Sequence, residues 1–319
     1  MSRLSYGLAV LCALWCAAPL TAAPAVMALR TNDVVAFVGG SDVAAAQFTG
    51  HLEALLVAKF PGARFRNFGW EGDTVFARPR EIGFPSLAEH LKRAGATVVV
   101  LQFGRTEVLG NKHSAQSFTA AYEKLLDECA QQTPRLVLVT PPPFERASEP
   151  LPDLSAFNTN LAAQAGAIRA LAKKRGLLLV DLFSELHGTV QERLRITDNG
   201  LQLSTPGHAL AAAACARQLG LGELVPRAGE VSVTGAWANP QFEKLRAVVL
   251  EKNRLWFDYW RPQNWAFLGG DRTTQMSSRD HRDPKVRWFP AEMEKFVPLI
   301  RAKEDEMEQQ AAQLRGGVK

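Results

Sequence analysis

Residues 34–41 read VVAFVGGS, an apolar run of strand-forming residues followed by two glycines and a serine. Val34 to Val38 shows no polar alternation, which suits a strand buried on both faces of a parallel sheet. Gly39 and Gly40 permit a sharp turn with close backbone approach. Ser41-Asp42 can cap a helix, expected over residues 43–59. A strand, a glycine turn and a helix start place the Ser41 hydroxyl at the carboxyl edge of a sheet, beside free backbone N–H groups. Open α/β folds bind ligands there. An ordinary βα turn with a capping serine gives the same local pattern, so the other loops decide between the two.

Four more apolar runs follow: residues 63–69 (ARFRNFG), 97–103 (TVVVLQF), 135–140 (RLVLVT) and 177–181 (LLLVD). Helical spacing is expected over 85–93, 114–131, 154–175 and 207–219. Short apolar strands alternating with helices predict a parallel sheet covered on both faces. With right-handed crossovers this is a three-layer α/β/α sandwich on a five-stranded parallel sheet. The glycine-bearing loops then share one edge.

The 319 residues are 47% apolar, enough for a sizeable core, and the net charge of +5 is spread out. No basic cluster interleaved with aromatics appears, so a nucleic-acid partner is not expected. Arg3, an apolar stretch over 8–20 and small residues up to Ala28 have the three regions of a secretory signal. Cleavage after Ala28 or Ala22 fits the pattern. Removing residues 1–28 takes one Arg and no acid from +5, leaving +4. The apolar run is short for a bilayer span, so the mature chain is expected to be exported, periplasmic or extracellular. Cys12 and Cys16 leave with the signal. Cys129 and Cys215 can form one disulfide or remain two buried thiols.

Composition changes near residue 225, where an arm begins over 225–319 after a domain over 29–224. Asn239-Pro240 can start a helix running to about Trp256. An aromatic, charged stretch follows, then a last helix opened by Pro290, bent near Pro298 and ending in a charged, solvated face. Five of the seven tryptophans lie here: Trp237, Trp256, Trp260, Trp265 and Trp288. They read as anchors that hold the arm to the domain, or as rings lining a sugar cleft beside Ser41.

The loops resemble the SGNH or GDSL-type hydrolases over residues 33–220. Gly39-Gly40-Ser41 matches the Gly-Asp-Ser turn, with Gly40 in place of Asp. Residues 67–74 (NFGWEGDT) match the block Asn-x-Gly-x-x-Gly-Asp-Thr, and Gly104-Arg105-Thr106-Glu107 matches Gly-x-Asn-Asp/Glu. Residues 199–203 (NGLQL) with Gly207-His208 match the last block, Asp-Gly-x-His-Leu followed by Gly-His. The resemblance implies a flavodoxin-like α/β/α fold and cleavage of esters, often acyl groups on carbohydrate. Within the family the chain looks most like exported bacterial members with a Trp-rich C-terminal arm. The resemblance assigns Ser41 as nucleophile, with oxyanion donors from the Ser41 and Gly72 N–H groups and the Thr106 hydroxyl. Gly40, Asp73, Arg105, Asn199 and Gln202 fall around the substrate.

The departures bear on chemistry. The family's Asp and His fall on Asn199 and Gln202, and a glutamine amide cannot take the serine proton near neutral pH. Asp198 is one residue early, and Thr106 reaches less far than the family's asparagine. His208 reads as a capping or packing residue. His281, flanked by Asp280 and Asp283, is a candidate base if the arm folds over the Ser41 edge; a solvated charged loop is the plain alternative. His51, His90, His113 and His187 have no carboxylate context. Asp271, Asp280, Asp283 and His281 match no specific metal-site spacing, so neither metal nor cofactor is expected. Two functions follow. One is an exported esterase acting on O-acyl groups of a saccharide. The other is a degenerate family member that binds a glycan or cell-wall ligand without hydrolysing it.

Overall fold

The five strands are β1 (Val34–Gly39), β2 (Arg64–Asn67), β3 (Val98–Gln102), β4 (Leu136–Val139) and β5 (Leu178–Val180). All pair in parallel in the order β2-β1-β3-β4-β5. The structure is a computed structural model and describes residues 26–110, 113–187 and 195–316. Most of the expected secretory signal, residues 1–25, lies outside the described residues. In register, Phe37 stands between Asn67 and Val100, and Gly39 lies opposite Gln102. The strand side chains alternate between two cores. Val35, Val98, Val100, Val137 and Val139 face one, and Ala36, Val38, Val99, Leu101, Leu136 and Leu138 face the other. Period-two alternation with both faces apolar produces the uninterrupted apolar runs read above.

Helices α1 (Ser41–Ala46), α2 (His51–Lys59), α3 (Leu87–Ala94), α4 (Arg105–Gly110), α5 (Ala115–Ala130), α6 (Asn158–Arg175), α7 (Leu182–His187) and α8 (Thr205–Gln218) connect the strands and close the sandwich. α2 and α8 pack over the first core, and α3, α5 and α6 over the second. The helix expected over 43–59 is broken in two. Gly50 takes φ +69°, and a Cβ there would lie 3.2 Å from Leu250 and Val249. Ser41 is not the cap either: Gly40 holds that position, with no side-chain hydrogen bond. Cys129 and Cys215 are free, buried thiols in the two different cores, so the sheet separates them. Burial pushes both thiols up to about 12.

The arm continues with α9 (Leu224–Ala228), α10 (Pro240–Trp260), α11 (Trp288–Glu294) and α12 (Phe296–Gly316). Asn239 caps α10 by accepting from the Gln241 N–H at 2.9 Å, with Pro240 next in line. α10 lies along the outer edge of β2, whose outward carbonyls would otherwise be unpaired. Lys252 Nζ donates to the Phe65 carbonyl at 3.1 Å, and Trp256 Nε1 to the Asn67 carbonyl at 2.9 Å. Lys252 is wholly buried and pairs with Glu53 at 2.5 Å, while also donating to Asn253 Oδ1 at 2.7 Å. Burial lowers the Lys252 pKa and raises that of Glu53, and their mutual attraction opposes both shifts. Among the described residues no helix is long and apolar enough to cross a membrane.

Two predictions come from this packing. Lys252→Met should cost ~3–5 kcal/mol in urea unfolding, because it strands a buried carboxylate; adding Glu53→Leu should recover most of that loss. The second concerns His51 and His90, which burial holds down to about 4 from an ordinary 6.5. Between those values the unfolded chain binds protons that the folded chain does not, so stability falls as pH drops through that window. The loss should approach ~3 kcal/mol per ring near pH 4. Thermal melts from pH 7 to 4.5 should show it, with a shallower slope for His51→Leu.

Candidate active site

The Ser41 turn is built by close approach. A Cβ on Gly39 would lie 2.4 Å from the Gln102 carbonyl, and one on Gly40 would lie 2.7 Å from the Asp73 carbonyl. Position 40 therefore has no room for the family's aspartate unless Asp73 moves. Ser41 is the first residue of α1 and half-buried, and its hydroxyl has no hydrogen-bond partner among the described residues.

The block 67–74 is mainly a brace. Asn67 donates from Nδ2 to the Val43 carbonyl and accepts from the Gly69 N–H, both at 2.8 Å. A Cβ on Gly69 would meet Ala44 N at 2.4 Å, which makes glycine obligatory there. The Trp70 N–H donates to the Gly39 carbonyl at 3.0 Å. Gly72 has φ +81° and is exposed, and its N–H has no partner among the described residues. Asp73 is buried and holds Arg80 through two hydrogen bonds of 2.7 Å. Burial raises the Asp73 pKa, against the pull of Arg80. The Arg80 and Arg261 guanidiniums stack on Trp70 at 4.0 and 3.6 Å.

The block 104–107 is equally committed to holding loops together. Glu107 is buried and accepts from the Val75 and Gly104 N–H groups, each at 2.9 Å. Burial raises its pKa although these donors oppose it. Arg105 is buried, with Nη1 on Asp42 at 2.7 Å, Nη2 donating to the Leu201 carbonyl, and its guanidinium 5.0 Å from the Phe144 ring centre. It ties α1, α4 and the 199–202 loop together through its two Nη groups, while its Nε is buried without a hydrogen-bond partner.

In the last block, Asn199 Oδ1 accepts from the Leu201 and Gln202 N–H groups at 3.1 and 2.8 Å. This is an Asx turn closed on its own backbone. Gln202 is exposed, and its Oε1 lies 3.4 Å from Asn199 Nδ2. Glu145 anchors the loop from below, accepting from Thr197 N at 2.8 Å and Thr197 Oγ1 at 2.5 Å. His208 is buried on the first turn of α8. Burial lowers its pKa, while the nearby Asp42 and Asp198 pull it up. His281 is 83% exposed on the arm, 3.7 Å from Asp280.

Gly40, Ser41, Asp73, Arg105 and Thr106 do come together, joined by Asp42, Gln102 and Glu107, around a hollow of about 10 Å³. That is the room of one water. No imidazole is among its lining, and Gly72, Asn199, Gln202 and His281 are not part of it. The sequence reading passed over Asp42 as a partner for Arg105, and Arg80 as a partner for Asp73. Charge order in the 70–80 loop was the only available signal for the second pair, and the first gave none. Among the described residues no group of three or more His, Cys, Asp or Glu is placed to hold a metal ion.

The model of the GDSL-like Lipase/Acylhydrolase family matches residues 35–210, more than half of the chain. This protein belongs to that family. A gut microbial diltiazem-metabolizing enzyme is similar over 91% of this chain and 96% of its own, at 12% identity and TM-score 0.55, a likeness of fold. An acetylxylan esterase from Geobacillus stearothermophilus matches at 19% identity and TM-score 0.48, over 61% of this chain and 97% of its own. An alpha/beta hydrolase enzyme from the metagenome of Lake Arreo, Spain, gives 19% and 0.49, over 61% and 98%. A search of curated protein sequences finds no match.

The Glu107 clamp supplies a test. Glu107→Gln turns one accepting oxygen into a donor facing a backbone N–H, and should cost ~1–3 kcal/mol in chemical denaturation.

Proposed function

We propose that this chain is an exported, catalytically degenerate member of the family that binds a saccharide or cell-wall ligand without hydrolysing it. The observation that carries this reading is the state of the Ser41 hydroxyl. No imidazole lines the hollow beside it, the carboxylates there (Asp42, Asp73 and Glu107) are held by Arg105, Arg80 and two backbone N–H groups, and the hollow is about 10 Å³, the room of one water. Hydrolysis by a serine needs a base to take the Oγ proton and return it to the leaving oxygen, and an acid to orient that base. Gln202 and Asn199 stand at those positions, and neither side chain carries out either task. Losing such a base costs roughly 10⁶ in rate where it has been measured in a serine hydrolase.

Weak Ser41-dependent esterase action on an O-acyl saccharide is the second reading. It is favoured by the unspent Ser41 hydroxyl and Gly72 N–H. Export is supported by the pattern of residues 1–28. Met27 is buried in the core and its N–H donates to the Leu219 carbonyl at 3.3 Å, which favours cleavage after Ala22 over Ala28.

The folded protein should turn over an activated aryl acetate no faster than Ser41→Ala, and a fluorophosphonate probe should leave Ser41 unlabelled by mass spectrometry. Turnover lost in Ser41→Ala, or a labelled Ser41, would replace the first reading with the second.

A further inference from the structure

A second cavity lies away from Ser41. It encloses about 630 Å³ between the β2 edge, α3, α10 and the turns leading to α12, and shares no lining residue with the Ser41 hollow. That volume is in the range of small-molecule sites. Its aromatic wall is rigid: Phe68 packs edge-on against Trp256 and Trp260, with centroids 5.4 and 5.2 Å apart.

Two independent features of the wall point to a ligand. The first is a set of polar atoms left without partners. His90 Nε2, Trp260 Nε1, Trp265 Nε1 and Arg287 Nε are all buried, have no hydrogen bond, and belong to residues lining this one cavity. His90, Trp260 and Trp265 are each more than nine-tenths buried. Buried donors are rarely left unmet. Three of the four are N–H donors by constitution, so the complement is rich in acceptor oxygens.

The second feature is charge. Five arginines line the cavity against one acid, Glu294, which accepts from the Tyr259 hydroxyl at 3.2 Å. Arg66 and Arg64 share Glu304, at 2.5 and 3.7 Å. Arg287 gives its Nη2 to the Phe267 and Leu268 carbonyls and has no carboxylate partner among the described residues. Arg93 and Arg301 form no hydrogen bond or ion pair among them, Arg93 acting on the Glu89 carboxylate only at longer range.

We propose that this cavity is a binding site for an anionic saccharide of one or two rings, bearing a carboxylate or sulfate. Arg93, Arg287 and Arg301 meet the charge, and the Trp260 and Trp265 N–H groups meet the ring oxygens. The aromatic wall adds apolar contact for a sugar ring, and guanidiniums outside ion pairs are the usual partners of carboxylate and sulfate oxygens. A nucleobase is the poorer fit, because its exocyclic amines would find few acceptors here. The site names the ligand class for the binding reading above and rests on that reading for its role, but its chemistry is independent of whether Ser41 is inert.

The test is calorimetric titration of the full mature chain with glucuronate, digalacturonate and N-acetylglucosamine 6-sulfate. Glucose, N-acetylglucosamine and inorganic sulfate serve as controls. At least one charged sugar should bind roughly tenfold or more tightly than its neutral counterpart and than sulfate. Arg93→Ala combined with Arg301→Ala should weaken it roughly tenfold, and both sites are exposed enough to leave folding intact. Trp265→Phe, which keeps an aromatic ring but removes the indole N–H, should also weaken it, by a few-fold. Ser41→Ala should bind as the parent does, so esterase activity, if found, leaves this result readable by itself. The proposal is overturned by any of three results: no charged sugar binding, neutral and charged sugars or sulfate binding alike, or unchanged affinity in the folded arginine and Trp265 variants.

Discussion

Asn67 is the residue on which the sandwich, the serine turn and the arm all depend. Its side-chain amide closes on the Val43 carbonyl and the Gly69 N–H, while its main-chain carbonyl takes the Trp256 indole N–H. Through the first pair it pins the start of α1 to the end of β2. Through the second it helps α10 close the open edge of the sheet. An edge strand with unmet carbonyls invites pairing with another chain. Here side chains of the same chain fill that role, with Lys252 on Phe65 two residues earlier. The arm is therefore part of how the sheet ends.

The same economy explains the serine edge. Asp73, Arg105 and Glu107 line the Ser41 hollow, and each is held by partners from within the chain. Asp73 binds Arg80, Arg105 binds Asp42 and the Leu201 carbonyl, and Glu107 binds two backbone N–H groups. Such groups hold loops in register, although Arg105 Nε is left buried without a partner. The Ser41 hydroxyl is the exception, with no hydrogen-bond partner among the described residues and no imidazole lining its hollow.

The arm cavity has the opposite character. There the protein leaves indole, imidazole and guanidinium nitrogens unmet and three arginines outside any ion pair among the described residues. Gly83 and Gly269 close its wall so tightly that a Cβ on Gly83 would lie 1.6 Å from the Gly269 carbonyl. A smaller cavity of about 220 Å³ has Asp73 in common with the Ser41 hollow, and His90 and Phe68 in common with the arm cavity. The two regions are thus neighbours through the 70–90 segment.

Much of the fold was legible because it rests on local rules. Five uninterrupted apolar runs are what strands buried on both faces require, and Asn239-Pro240 starts a helix wherever it stands. The serine turn was legible too, since two adjacent glycines after a strand have few other uses. What local rules could not reach was every feature made by residues far apart in the chain. Gly50 breaks the first helix because α10, some two hundred residues on, lies against it. The pairs Lys252–Glu53 and Arg105–Asp42 join distant segments with no shared pattern. The arm tryptophans were readable as anchors or as a cleft. Trp256, which anchors α10 to Asn67, also lines the cavity with Trp260 and Trp265, at the β2 edge and away from Ser41. Spacing along a chain specifies which face a side chain takes; only tertiary packing decides which other face it meets, and that meeting is where this protein's unpaired donors and charges gather.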